Sequence, residues 1–188
     1  EKDDIYVDGE KIVYTKYVYH MLNKPDGYVS ATEDNLYPTV IDLIKEYHPG
    51  LFPVGRLDVD TEGLLLITND GQLAHRLLSP RTHVPKTYYV KVKGRLGIGD
   101  INAFTKGIPL EDFTCMPAFL NIIKSDEISE CEVTIYEGKF HQVKRMFQAC
   151  GKEVVYLKRI SMGELKLDES LKLGHYRPLT DEEINSIL

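Results

Sequence analysis

The chain has no tryptophan among its 188 residues and only three cysteines, Cys115, Cys131 and Cys150. An odd number of cysteines without metal-ligand spacing does not indicate a disulfide framework, so we expect reduced thiols in a cytoplasmic protein. No apolar run approaches the roughly 18–20 residues of a membrane-spanning helix, and no signal-peptide pattern opens the chain. The six histidines are dispersed, with no His-x-x-x-His or Cys/His cluster. The sequence therefore predicts no metal site.

Positive charge is in deficit, and the formal net charge of −6 taken alone argues against a nucleic-acid partner. The distribution of positive charge along the chain matters more than the net charge, because phosphate binding uses a local basic patch. Residues 76–95 hold six Lys or Arg and no acid, and residues 139–159 hold six against one acid, Glu153. Each block alone is compatible with a solvated surface. Both blocks lie beside the motifs described below, which favours an RNA groove.

Two carboxylates, Asp58 and Asp60, lie in a short polar segment after Gly55 and before the apolar run at residues 64–67. The run has the length and composition of a buried strand, and the Asn-Asp-Gly sequence at 69–71 ends it with turn chemistry. A carboxylate beside a buried strand either forms a structural hydrogen bond or ion pair, or takes part in catalysis. The residues alone leave both interpretations open, because an Asp in such a loop often bonds its own backbone.

The sequence GRLDVDTEGL at residues 55–64 resembles the signature of RNA pseudouridine synthases of the RsuA/RluA type. Its continuation through TNDG at 68–71 is similar to the RsuA branch, which acts on ribosomal RNA. NKPDG at 23–27, KTY at 86–88 and EGKFHQVKRM at 137–146 resemble further motifs of the same family. The resemblance is nearly continuous from Tyr17 to the C-terminus.

The resemblance implies that Asp58 is the catalytic acid, that Tyr88 lines the uridine pocket and that Lys144 is the basic partner of Asp58. Some relatives carry Arg at the position of Lys144, so we expect a looser pairing with an ammonium group. Pseudouridine formation breaks the N1–C1′ bond of a uridine, turns the base and rejoins it through C5. Nothing is oxidised, so no cofactor is expected. An anionic group is needed near C1′. Burial disfavours the ionised carboxylate and a nearby cation favours it.

Seven further side chains are candidates for RNA contacts. They are Arg56, Lys24, His83, Lys86, Lys139, His141 and Arg145. A uridine in folded RNA must be extruded before it can react, and Arg56 is placed to fill the vacated position or to bind the adjacent phosphate. Lys24 is the cation of the Pro-Gly turn at 23–27, although the motif is equally compatible with a simple tight turn. Asp60 and Thr61 are interpreted as residues that orient Asp58.

Short strands dominate the pattern, which predicts an α+β fold with a mixed, largely antiparallel sheet. The resemblance implies the pseudouridine-synthase fold, a bent sheet with flanking helices and a central active-site cleft. Strands are predicted at 17–22, 86–93, 117–124, 130–136 and 154–160, and helices at 38–48, 72–78, 97–107, 139–150 and after Thr180. An Asp-Gly turn predicts a hairpin within residues 1–16.

In the RsuA branch such a hairpin follows an S4-like RNA-binding module. This sequence does not include the module, so we expect either the catalytic part of a longer protein or a natural short form. Residues 1–16 are then a hairpin or linker remnant, and residues 17–188 are the catalytic domain. We expect a monomer without membrane contact whose partner is ribosomal RNA. The sequence GLFPVG before the central motif, the KTY strand and the RPLT ending resemble those of the small-subunit enzymes, which implies 16S rRNA as the substrate. The same reaction on 23S rRNA, a non-catalytic ribosome-assembly factor and a glycosidase with a second acid about 5–9 Å away are the alternatives.

Overall fold

A computed structural model describes residues 4–7, 10–13 and 17–188. Strands β1 and β2 pair in antiparallel fashion, as the Asp-Gly pattern predicts, and the other nine strands form one sheet. The strands are β1 Asp4–Val7, β2 Glu10–Val13, β3 Tyr19–Lys24, β4 Phe52–Val54, β5 Glu62–Thr68, β6 Lys86–Lys93, β7 Phe119–Lys124, β8 Ile128–Ile135, β9 Glu153–Met162, β10 Leu165–Lys166 and β11 Tyr176–Pro178. The α-helices are α1 Gly71–Leu78, α2 Ile98–Lys106, α3 Gln142–Ala149 and α4 Asp181–Ile187.

The large sheet has the strand order β11-β3-β5-β9-β6-β8-β7, with β4 paired to β5 and β10 paired to β9. Its strand pairs are antiparallel except for β5 with β9, which are parallel. The predicted α+β class with a mixed, mostly antiparallel sheet and flanking helices is confirmed.

The parallel pair joins the two halves of the sheet through only two registered residue pairs, Glu62 with Lys158 and Gly63 with Arg159. At Gly63 the backbone φ is +109°, and a Cβ atom there would lie 2.2 Å from the carbonyl oxygen of Arg159. A glycine is therefore required where the two halves meet.

Strand β5 is buried on both faces, which explains its unbroken apolar run. Leu65 and Ile67 pack into one hydrophobic cluster, and Leu64 and Leu66 pack into a second cluster on the opposite face. Side chains alternate between the faces of a strand, so a strand covered on both sides needs no polar positions. This central strand begins directly after the polar segment that carries the two carboxylates.

Helix α3 buries an apolar stripe of Val143, Met146 and Phe147. It begins at Gln142 instead of Lys139, because His141 before it has a left-handed backbone with φ of +46°. In α1, the Asp70 side chain caps the helix by accepting the Leu73 N–H at 3.1 Å. Leu73 and Leu77 of this helix are buried, whereas Leu78 is exposed.

The helix predicted at 38–48 is wrong. Only a 3₁₀ turn, Val40–Leu43, forms, and Tyr47 at the end of the expected apolar stripe is 88% exposed. Ile44 has extended backbone (φ −86°, ψ 111°), and the Lys45 N–H donates to the Tyr176 hydroxyl instead of to a helical carbonyl. A tertiary hydrogen bond thus replaces the next turn of helix.

The three cysteines are unpaired, as predicted. Burial raises the pKa of Cys115 to about 11 and that of Cys131 to about 12, so both thiols are held in the protonated form. Across the described ranges, the longest apolar helical segments fall short of what a bilayer crossing requires.

Candidate active site

A cleft of about 970 Å³ lies over the sheet, where the loop before β5, the start of β6, the start of α3 and strand β9 come together. Eight of the ten predicted site residues line it: Arg56, Asp58, His83, Lys86, Tyr88, Lys139, His141 and Lys144. The two others, Lys24 and Arg145, lie outside its lining. Residues separated by more than eighty positions in the sequence therefore share one cavity.

The loop that carries Asp58 is fixed by the segment that follows β3. The Ser30 hydroxyl donates to the Leu57 carbonyl and accepts the Leu57 N–H, both at 3.1 Å. The Gly27 N–H donates to the Val59 carbonyl at 3.0 Å. A turn closed by the Thr61 N–H on the Asp58 carbonyl at 2.9 Å completes the loop. These bonds satisfy the loop backbone and leave the Asp58 side chain to face the cleft.

Lys24 supports the same loop from beneath, and its predicted RNA contact is wrong. Its side chain is fully buried (0% exposed), and its ammonium donates to the carbonyls of Pro25, Val59 and Thr61 at 3.0, 2.9 and 2.8 Å. Burial lowers its pKa to about 8, although nearby carboxylates oppose the shift. An ammonium with three carbonyl acceptors and no exposed surface cannot reach a phosphate, so Lys24 holds the loop in place.

The Asp58 carboxylate lies between two basic side chains of the α3 region. Lys144 Nζ is 3.2 Å from one carboxylate oxygen, and His141 Nε2 is 3.3 Å from the other. Lys144 also donates to Asp60 at 2.8 Å, and this hydrogen bond holds the pKa of Asp60 below its ordinary value. Burial alone would lower the pKa of Lys144, but its bonds to Asp60 and Asp58 outweigh burial and raise it. Lys144 is therefore positively charged at neutral pH.

The start of α3 is held by a buried hydrogen-bond network. Gln142 donates to the Glu137 carboxylate at 3.0 Å and accepts the Lys139 N–H at 3.1 Å. The same carboxylate accepts the Met116 N–H at 2.6 Å. Because Gln142 and Val143 are buried beside Lys144, the helix start is anchored and its next side chain is directed at Asp58.

The floor of the cleft is formed by β6 and β9, where Tyr88 is in register with Arg159. Arg159 is 3% exposed; its Nε donates to the Leu64 carbonyl at 2.9 Å, and its Nη2 has no partner among the described residues. Burial lowers the pKa of neighbouring Lys86, and the charge of Arg159 adds to the effect. The sequence analysis placed Arg159 at the end of a basic block but did not single it out as a residue of the site.

The rim of the cleft is exposed and basic. Arg56, His83 and Lys139 are solvent-accessible, and Phe140 is 75% exposed. The Phe140 ring stacks on His141 with centroids 3.8 Å apart and planes inclined by 15°. Phe140 was also missed, although a large apolar residue between Lys139 and His141 in a polar turn is a signal for an exposed aromatic platform.

Arg145 is diverted from the cleft. Its guanidinium forms an ion pair with Asp112 and donates to the Phe140 carbonyl at 3.2 Å. It therefore secures the turn that carries the Phe140–His141 stack. Among the described residues, the group of three close metal-ligand side chains lies outside the cleft, at His20, Glu46 and His48.

The cleft combines an anionic carboxylate, a fixed cation beside it, a phenol on the floor and a basic rim with an exposed aromatic ring. Such a cavity can bind a polyanion that projects a flat base inward, and can present a nucleophile to it.

The chain belongs to the RNA pseudouridylate synthase family, whose model matches residues 18–149. It is accordingly an enzyme of the pseudouridine synthase class, and the predicted family resemblance is confirmed. It is 49% identical to the uncharacterized RNA pseudouridine synthase YtzG of Bacillus subtilis, over 98% of this chain and 79% of that protein. It is 46% identical to ribosomal small subunit pseudouridine synthase A of Escherichia coli, over 90% of this chain and 74% of that protein.

A solved pseudouridylate synthase superposes with a TM-score of 0.85 at 42% identity, covering 98% of this chain and 80% of the other. The human RNA pseudouridylate synthase domain containing 1 shares the fold, with a TM-score of 0.56 at 14% identity and coverage of 93% and 92%. The family assignment removes the glycosidase hypothesis.

Proposed function

We propose that this enzyme isomerises a specific uridine of 16S ribosomal RNA to pseudouridine, with Asp58 as the nucleophile or essential acid. The observation that carries the proposal is the Asp58 carboxylate held between Lys144 and His141 in a cleft that Tyr88 also lines. Relatives named for the ribosomal small subunit match 90% of the chain at 46–47% identity, which supports the 16S substrate. The division into a hairpin at residues 1–16 and a catalytic domain at 17–188 belongs to the same proposal.

In this mechanism the Asp58 carboxylate acts at C1′ of a flipped uridine while the N1–C1′ bond breaks and its electron pair stays on N1. The uracil turns within the cleft, and C5 bonds to C1′ as Asp58 is released. The C5 proton is then removed and N1 takes up a proton, so the base loses one proton and gains one. Lys144 lies beside Asp58 and balances its negative charge. Tyr88 stacks on the uracil or relays the C5 proton.

Arg159 supports recognition of the base. Its buried Nη2 lacks a partner among the described residues, and an unsatisfied buried donor costs about 1–3 kcal/mol. A uracil carbonyl that accepts from this nitrogen would recover that cost on binding. At the rim, Arg56 fills the position that the flipped uridine leaves, and Lys86, Lys139, His83 and His141 contact the RNA backbone.

The test is release of tritium from C5-labelled uridine in purified ribosomal RNA. Wild type should release label from 16S rRNA, and Asp58→Asn should lose at least about 10³-fold in rate. Asp181→Asn is the matched control, because it makes the same change at an exposed carboxylate of α4 outside the cleft lining; it should retain wild-type activity.

The outcomes separate the alternatives. Release from 23S rRNA alone would transfer the reaction to the large subunit, and RNA binding without release from any rRNA would support the assembly-factor hypothesis. An Asp58→Asn enzyme that turns over at the wild-type rate would remove Asp58 from its assigned role.

A further inference from the structure

Three side chains far apart in the sequence meet beside β3, on the part of the sheet where β11 pairs with it. His20, Glu46 and His48 each offer a ligand atom, and these atoms all lie within 4.8 Å of one another. His48 Nε2 is 3.6 Å from a Glu46 carboxylate oxygen, and the His20 and His48 ring centroids are 5.8 Å apart. A depression of about 440 Å³ opens on this group and is lined by Glu46, His48 and residues around them.

The buried member of the group is unexplained by the fold. His20 is 2% exposed, and neither of its ring nitrogens has a hydrogen-bond partner among the described residues. Its neighbours include the edge of the Tyr176 ring, 5.1 Å between centroids, which offers no acceptor to either nitrogen. A buried imidazole without any partner is costly. A metal ion would satisfy one nitrogen directly.

The chemistry of the group suits ligation. A neutral imidazole presents the lone pair that a metal requires. Glu46 supplies the negative charge that two neutral histidines lack.

We infer that His20, Glu46 and His48 form a binding site for a zinc-like divalent cation, with a fourth position open to water. Two imidazoles and one carboxylate are a ligand set that zinc accepts, whereas Mg²⁺ and Ca²⁺ prefer oxygen ligands. Ligand atoms around a tetrahedral zinc ion lie about 3.3 Å apart, so the group must contract. Glu46 is exposed on the loop before β4, and its side chain is free to rotate inward.

The ion would fasten the segment at 44–51 to β3, which compensates for the helix that does not form at 38–48. The site shares no lining residue with the catalytic cleft, so it is independent of the proposed function.

The experiment is a titration of the chelator-stripped, reduced protein with Zn²⁺ against a chromophoric zinc chelator. Wild type should bind one Zn²⁺ per chain and melt at a higher temperature with Zn²⁺ than without it. His48→Ala and Glu46→Gln should each weaken binding by about ten-fold or more, since even outer-sphere partners of a metal contribute that much. Both side chains are partly or largely exposed, so these variants should fold.

Two matched controls locate the ion. His75→Ala changes an exposed histidine of α1, and His141→Ala removes the histidine beside Asp58; both should bind Zn²⁺ as wild type does. Substitution by Co²⁺ should give a visible spectrum of nitrogen and oxygen ligands without thiolate bands. Binding that survives in His48→Ala, binding that disappears in His141→Ala, or no binding by wild type at micromolar Zn²⁺ would each overturn the inference.

Discussion

Two lysines reach the Asp58 loop from opposite sides, and they differ in burial and in their partners. Lys24 lies beneath the loop, is fully buried and donates to three backbone carbonyls. Lys144 lies at the mouth of the cleft, is partly exposed and, among the described residues, pairs with the carboxylates of Asp58 and Asp60. Both belong to motifs shared with the family.

The difference shows how to distinguish a motif residue that stabilises the fold from one that can act on the substrate. A cation bonded to carbonyls fixes the backbone, because carbonyls carry no net charge that the cation could regulate. A cation bonded to carboxylates controls their ionisation and is itself available to substrate. Each of the following variants tests one side of this comparison.

The largest effect is expected at Lys144. Lys144→Met keeps the length and helix propensity of the side chain but leaves Asp58 without its cation, so kcat should fall by about 10²–10³-fold. Lys144→Arg should recover most of the activity, since arginine supplies the same charge. Urea unfolding should give a similar stability for all three proteins. A Lys144→Met enzyme with near-normal kcat would show that Lys144, like Lys24, has no direct part in the reaction.

Lys24→Met should act on stability first. It removes the donor from three buried carbonyls, and at about 1–3 kcal/mol for each unsatisfied group the free energy of unfolding should fall by about 3 kcal/mol or more. The exposed Lys172→Met is the matched control and should change stability by less than about 0.5 kcal/mol. Urea denaturation measures both. Equal stabilities for the two variants would show that the buried bonds contribute little.

The pH dependence of Lys24 has a definite sign. Its pKa is about 8 in the folded protein and 10.5 as an ordinary lysine, so between these values the unfolded chain binds a proton that the folded chain has released. Stability from this group therefore rises with pH across that window. The stability difference between wild type and Lys24→Met should be larger near pH 9.5 than at pH 7. A difference that shrinks instead would contradict the assigned direction.

The smallest effect is expected at the rim of the cleft. Here the comparison is between two exposed aromatic rings, one at the rim and one outside the cleft. Phe140→Ala removes the exposed ring of the Phe140–His141 stack and should weaken RNA binding by about 1–2 kcal/mol, measured as Kd. Phe119→Ala removes a ring that is 62% exposed on the edge strand β7, outside the cleft lining, and should bind RNA normally. Equal losses would indicate a general effect of exposed aromatic residues.

The sequence predicted which side chains share the cleft better than it predicted what supports them. Asp58, Tyr88 and Lys144 could be brought together because three motifs carry them, and the cleft contains all three. Lys24 could not be assigned correctly, because a cation in a Pro-Gly turn looks exposed until the turn folds beneath another loop. Burial of that kind is a tertiary property that local pattern does not encode.

The error at 38–48 has the same origin. The i, i+3, i+4 pattern is present, but the Tyr176 hydroxyl, 131 positions away from Lys45, takes the N–H that a helix would use. The grouping of His20 with His48 could not be predicted either, because they are 28 positions apart and meet only in the folded protein. Long-range pairing, in contrast to periodicity, has no local signature.

The close approach at Gly63 joins two halves of the sheet that both contribute to the cleft. Asp58 enters the cleft from the half of the sheet that contains β5, whereas Tyr88 and the helix of Lys144 belong to the half that contains β6 and β9. The distance between these two walls therefore depends on the contact between β5 and β9, where glycine carries only a hydrogen atom. A side chain at this position would meet the Arg159 backbone and push the two walls apart.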